Sequence, residues 1–192
     1  MITDANDAMT FGEQVGRSAR LRLRPVQEDE LVLLERWWNC EALLPHQAGN
    51  VIPRPDGGRI EEFQRWYSNT DPAHVGFAVE RLVDGELLGA AVLYGATYAA
   101  PAATFAIQLR PDVLGHGYGT EATRLIVDYG FRALPLHRIE LRVYAFNDRA
   151  IRCYRSAGFV EEGTRRQVVF LDGQWHDELI MSVVRPDWDL AH

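Results

Sequence analysis

The chain has 192 residues, of which 47% are hydrophobic and 24% charged, and it carries a formal net charge of −7. Its length suits a single domain that buries a core without staples, and the acidic balance argues against nucleic acid as the main partner. No apolar run reaches the roughly 18–20 residues that would span a bilayer.

The first residues lack the basic start and apolar stretch of a signal peptide. Cys40 and Cys153 stand far apart without metal or redox spacing, so a cytoplasmic location and no metal are expected. Residues 1–19 are polar and aperiodic and read as a flexible tail, with one domain over 20–188.

Arg20 to Arg24 alternates polar and apolar residues, as a half-buried strand does, and Pro25 closes it. From Glu28 to Trp38, Leu31, Leu34 and Trp38 fall at helical spacing. Residues 45–58 hold three prolines and three glycines and read as a loop. A second helix is predicted over Ile60–Tyr67. Val75–Leu82 and Leu87–Tyr94 read as strands joined across the Asp84-Gly85 turn signal, and Thr104–Leu109 is another. A helix follows over Thr120–Phe131, then a strand over Arg138–Ala145 and a helix over Asp148–Ala157, with Gly158 suited to a left-handed cap. Thr164–Phe170 and Glu178–Val184 form a hairpin around Asp172-Gly173. The class is α/β (α+β mixed): about seven strands in a mixed sheet, flanked by about four helices.

Between the third of these central strands and its helix lies Leu114-Gly115-His116-Gly117-Tyr118-Gly119-Thr120. Residues without a Cβ let a backbone turn sharply and approach a ligand. The helix behind adds its unpaired N-terminal donors and the positive end of its dipole. Together these make a phosphate cradle. A dinucleotide site would want Gly-x-Gly-x-x-Gly after the first strand, but here Thr120 takes the third glycine's place. The Gly-Lys-Ser/Thr of a nucleotide-binding P-loop is absent.

This order of elements, with the loop in this place, resembles the GNAT superfamily of acyl-CoA-dependent N-acetyltransferases over about residues 20–188. The family's loop reads Gln/Arg-x-x-Gly-x-Gly/Ala; Leu114 departs from its basic or amide start but leaves the backbone cradle intact. A second block, Asn147 to Phe159, is similar to the family's Asn-x-x-Ala-x-x-x-Tyr-x-x-x-Gly-Phe pattern. Asn147 and Tyr154 stand two helical turns apart, roughly 10 Å, on one face. The opening Leu21–Pro25, the stretch Leu171–Asp177 and the ending Arg185–Trp188 resemble the RimJ/RimL branch.

The resemblance implies acetyl transfer from acetyl-CoA to a primary amine in a ternary complex, with the cofactor on Gly115, His116, Gly117, Tyr118, Gly119 and Thr120. It implies pantetheine contacts from the backbone of Ile107, Gln108 and Leu109 and from Asn147. The N–H of Leu109 would meet the thioester carbonyl, a donor typically worth about 3 kcal/mol at the transition state. Tyr154 would be the general acid for the leaving thiolate, since a phenol keeps its proton at neutral pH. Asn147 equally suits a helix N-cap.

Arg110, Arg149, Arg152 and Arg155 are candidates for the 3′-phosphate, with Arg152 favoured, and each also reads as a surface charge. No motif selects the amine's base: Glu80, Glu140, Tyr94, Tyr98, His176 and a water relay stay open. The acceptor could be a protein N-terminus, a polyamine or an aminoglycoside-like amine, and a homodimer is open. A CoA-binding sensor or an interaction module on the same fold is the alternative.

Overall fold

β-branched and aromatic alternation in the middle of the chain builds one seven-stranded sheet. The computed structural model describes residues 16–46, 60–67, 69–71, 73–96, 99 and 101–191. In chain order these give β1 (Leu21–Arg24), α1 (Glu30–Trp38), a 3₁₀ turn (Leu44–His46), α2 (Ile60–Tyr67), β2 (His74–Arg81) and β3 (Glu86–Tyr94). They continue with β4 (Ala102–Leu109), a second 3₁₀ turn (Pro111–Val113), α3 (Tyr118–Ala133), β5 (Arg138–Tyr144), α4 (Asp148–Ser156), β6 (Val160–Leu171), β7 (Gln174–Val184) and α5 (Arg185–Ala191). The strands lie in the order β1-β2-β3-β4-β5-β7-β6, and only β4 and β5 run parallel.

The central strands are buried on both faces. Along β3, Ala91 and Leu93 enter a core shared with α3, while Ala90 and Val92 enter a core shared with α1 and α2. α3 sits close to the sheet at Gly130, where a Cβ would lie 2.8 Å from Ile139 Cδ1 and 2.9 Å from Leu93 Cδ1. Asp172 and Gly173 take φ of +51° and +79°, the paired left-handed conformation of a tight hairpin turn. No described helix is long and apolar enough to cross a membrane.

The mixed seven-stranded sheet is as expected, and α5 is a further helix that the sequence reading did not contain; Pro186 sits in its first turn, where a missing N–H costs nothing. Two expectations are corrected. α3 starts at Tyr118, inside the glycine motif, because Gly117 serves as its N-cap. Residues 16–19 fold against the body: Leu23 N–H donates to Gly16 C=O at 2.6 Å, and Ser18 Oγ donates to Glu121 Oε1 at 2.6 Å. The remainder of the expected tail, and residues 47–59 of the expected loop, lie outside the described residues.

The β1–β2 end is tied by charge. Glu80 is buried and accepts hydrogen bonds from Arg22 Nε at 2.6 Å and Arg24 Nε at 2.5 Å. Burial alone would raise its pKa, but the two guanidiniums outweigh burial and hold the carboxyl below its usual range. Glu162, beside Arg138 and Ser182, is held down to about 2. A carboxylate whose folded pKa is depressed contributes stability above the unfolded value, near 4.5, and loses it as pH falls through the folded value. Stability measured by urea unfolding is therefore expected to drop between pH 4.5 and pH 2. Glu80→Gln should cost about 3 kcal/mol at pH 7 and narrow the difference between pH 7 and pH 3, because a glutamine has no proton to gain.

Candidate active site

The site begins with a strand pair that comes apart. β4 runs to Leu109 and β5 to Tyr144, yet they pair only from Ala102↔Arg138 to Thr104↔Glu140. β5 stays paired with β7 up to Tyr144↔Glu178, and β4 stays paired with β3 up to Gly89↔Leu109, so a V opens between them. At Gly89 the two strands approach so closely that a Cβ would lie 2.1 Å from Gln108 C=O.

In an antiparallel ladder, successive residues turn their backbone groups to opposite sides. Arg110 N–H donates to Leu88 C=O at 2.8 Å. The backbones of Arg110 and Gln108 therefore face β3, and those of Ile107 and Leu109 face the V. This corrects one expectation, since Gln108 has no backbone donor to offer a ligand there. Its side chain crosses to the other face, where Nε2 donates to Leu34 C=O at 3.0 Å and leaves Oε1 buried without a protein partner among the described residues.

The loop after β4 supplies the second wall. Gly115 and Gly117 have φ of +84° and +81°, left-handed values that L side chains rarely adopt. Gly117 caps α3 with no side-chain hydrogen bond, so the first donors of that helix stay available. Gly119 serves differently: it is helical, and a Cβ there would meet Cys153 Sγ at 3.4 Å, which lets α3 and α4 lie close.

α4 supplies the third wall. Asn147 Oδ1 accepts from Ala150 N–H at 3.2 Å, which makes it the N-cap, and the residue also lines the cleft. Gly158, at φ +96°, allows the chain to turn so that Phe159 N–H reaches Tyr154 C=O at 3.0 Å. The Tyr154 ring lies edge-on to Phe105 at 6.0 Å and against Phe159 at 6.0 Å. Burial, with Cys153 beside it, pushes the phenol above its ordinary pKa, so the hydroxyl keeps its proton through neutral pH.

These walls enclose a cleft of about 390 Å³. Ile107, Gln108, Leu109, Gly115, Gly117, Gly119, Thr120, Asn147, Arg152 and Tyr154 all line it. His116 and Tyr118 do not. His116 turns Nδ1 toward Leu114 C=O at 3.1 Å, and the Tyr118 ring lies under the Arg20 guanidinium at 4.7 Å. Of the four arginines, Arg149 and Arg152 line the cleft, while Arg110 is paired with Glu86 and Asp112, and Arg155 with Glu161.

Unpaired strand donors, a glycine-lined helix N-terminus and two cations at one cleft fit an extended amide arm that ends in phosphates.

The candidate bases fare differently. Glu80 is held by Arg22 and Arg24, Glu140 pairs with Arg138 at 3.1 Å, Tyr94 stacks on His74 at 6.2 Å, and His176 stands edge-on to Phe146 at 4.9 Å. None of these four lines the cleft. Tyr98 lies outside the described residues. Sequence reading missed several lining residues; Val113, Ala150, Cys153 and Ser156 lie beside expected ones, whereas Leu43 and His46 are brought in by the turn after α1. The tripeptide Leu44-Pro45-His46 opens a proline- and glycine-rich stretch and carries no signal of its own.

Residues 20–160 match the family model of an acetyltransferase (GNAT) domain. A probable N-acetyltransferase of Bacillus subtilis, YjcK, is 35% identical over 130 residues, 67% of this chain and 71% of that protein. A spermidine N(1)-acetyltransferase of Vibrio cholerae is 32% identical over 168 residues, 88% of this chain and 95% of that protein. The crystal structure of the spermidine N-acetyltransferase from Vibrio cholerae, in complex with CoA and spermine, is similar with a TM-score of 0.79 at 26% identity. That similarity covers 89% of this chain and 99% of the other. With its splayed central strands and glycine-capped helix, this chain belongs to the GNAT acetyltransferase family.

Proposed function

We propose that the protein transfers the acetyl group of acetyl-CoA to a primary amine of a small polycation of the polyamine class, by direct attack with both substrates bound. It acts as a cytoplasmic enzyme of the RimJ/RimL branch. The observation that carries this reading is the free β4 edge: the backbone of Leu109 faces a cleft that also holds Tyr154. The named activity of the Vibrio cholerae relative supports the choice of acceptor.

Acetyl-CoA supplies an activated thioester. Leu109 N–H is aimed where charge develops on the carbonyl oxygen, and Ile107 and Asn147 hold the pantetheine arm. The N-terminal donors of α3, with Gly115 to Thr120, hold the pyrophosphate, and Arg152 faces the 3′-phosphate. Tyr154 gives its proton to the departing sulfur, a role that suits a phenol held in its neutral form.

The acceptor must lose a proton before it can attack. A lysine side chain near 10.4 costs roughly 3 kcal/mol more to deprotonate at neutral pH than an α-amine near 8. Each cationic neighbour in a polyamine lowers the pKa of the next amine. In a thiol-release assay over an amine panel, spermidine and spermine are expected to outperform lysine side chains, and the rate should rise with pH as the neutral amine fraction grows. Faster acetylation of internal lysines than of every small amine and α-amine would overturn this choice of acceptor. Absence of thiol release with every amine, in a protein that still binds acetyl-CoA, would favour the sensor.

A further inference from the structure

The five candidate bases read from sequence leave the cleft without a described base, but the cleft itself contains one. Among the described residues, its titratable lining residues are His46, Arg149, Arg152, Cys153 and Tyr154. Two of these are permanent cations. Cys153 Sγ lies 4.0 Å from Thr123 Oγ1, where α3 and α4 pack together, and Tyr154 is committed to donating a proton. Gln108 also lines the cleft, but its amide side chain cannot take a proton.

We propose that His46 is the general base, taking the proton of the acceptor amine as its nitrogen attacks the thioester. The inference rests on the acetyl-transfer reading above.

Three observations support this role. The Leu44–His46 turn brings the imidazole to the cleft lined by Leu109 and Tyr154. The ring is held against Phe146 at 5.8 Å, in the segment between β5 and the Asn147 cap. Of its two nitrogens, Nδ1 is buried without a partner among the described residues, which leaves Nε2 as the nitrogen that a ligand can reach.

The surroundings favour the neutral ring. Burial disfavours imidazolium, and Arg149 from α4 disfavours it further, so the pKa lies below the ordinary value. Arg152 lines the same cleft, and His176 from β7 also packs edge-on against Phe146. A neutral imidazole is the required form at pH 7.

The step balances. The amine lone pair forms the new bond to the carbonyl carbon, and the proton this nitrogen sheds passes to His46 Nε2. The carbon–sulfur bond breaks, and the sulfur takes the Tyr154 proton. His46 then returns its proton through solvent to the tyrosinate, leaving an amide and a free thiol.

The test compares the wild-type protein with His46→Gln, using spermidine and acetyl-CoA between pH 5.5 and pH 9. In the wild type two groups must be deprotonated, so log(kcat/KM) should rise with a slope of two below the His46 pKa and of one above it. In His46→Gln the slope should stay at one throughout, with kcat lower by roughly 10²-fold at pH 7.5. Imidazole added to His46→Gly should restore part of the rate, and His46→Phe, which keeps a ring against Phe146, should unfold at the wild-type temperature and remain slow.

A His46→Gln rate within threefold of wild type, a retained slope of two, or a loss confined to acetyl-CoA affinity would overturn the assignment. Failure of the wild type to release thiol with any amine would instead overturn the acetyl-transfer reading on which the inference rests.

Discussion

Tyr154→Phe should lower kcat by roughly 10²–10⁴-fold while leaving acetyl-CoA affinity and melting temperature close to wild type. The substitution removes one hydroxyl and keeps the ring that packs on Phe105 and Phe159. No described residue hydrogen-bonds that hydroxyl, so its loss orphans no partner and the fold has little to lose. The raised pKa adds a second expectation. A general acid stops working only above its pKa, so ionisation of Tyr154 should cause no decline in rate up to about pH 10, the ordinary phenol value. Stopped-flow thiol release with a saturating amine, alongside calorimetric binding, separates the rate from the affinity. A kcat within a few-fold of wild type, under conditions where chemistry limits turnover, would reduce Tyr154 to a packing residue.

The features legible in sequence are those fixed by local chemistry. Gly115 and Gly117 were readable because left-handed backbone calls for glycine, and Gly158 for the same reason. Asn147 was readable as a cap, and its distance from Tyr154 follows from helix pitch alone. What stayed hidden depends on which strands pair, and where they stop. Nothing in Thr104–Leu109 announces that β5 leaves β4 after Thr104. The alternation that turns Gln108 away from the V and Leu109 into it is fixed by register with β3, a partner more than a dozen residues upstream. His46 was invisible for a similar reason: no local periodicity surrounds it, and only tertiary folding brings its turn to Phe146 and Arg149. Glu80 misled in the opposite sense, because a carboxylate on a strand resembles a base until its two arginines are seen.

The glycine loop yields the other large expected effect, in affinity where that of Tyr154 lies in rate. Gly117→Val should weaken acetyl-CoA binding by roughly 10–100-fold, measured by calorimetry. A Cβ at Gly117 meets only Arg20 Nη2 at 3.5 Å, an ordinary contact, so steric clash does not threaten the fold. The cost lies in the backbone: at φ +81° an L residue is disfavoured by about 1–2 kcal/mol. A β-branched side chain adds to that penalty. The loop can relieve the strain by rotating away from the left-handed region, and rotation moves the donors at the start of α3 off their common target. A hydrogen bond to a charged group is worth about 1.5–3 kcal/mol, and each 1.4 kcal/mol is about tenfold in affinity, so one misdirected donor suffices for the loss. Gly163→Ala on β6, where the space is open and φ is ordinary, should leave affinity unchanged. A folded Gly117→Val protein that binds acetyl-CoA as wild type does would show that the phosphates are held elsewhere, and the placement of the cofactor on the Gly115–Thr120 loop would fall with it.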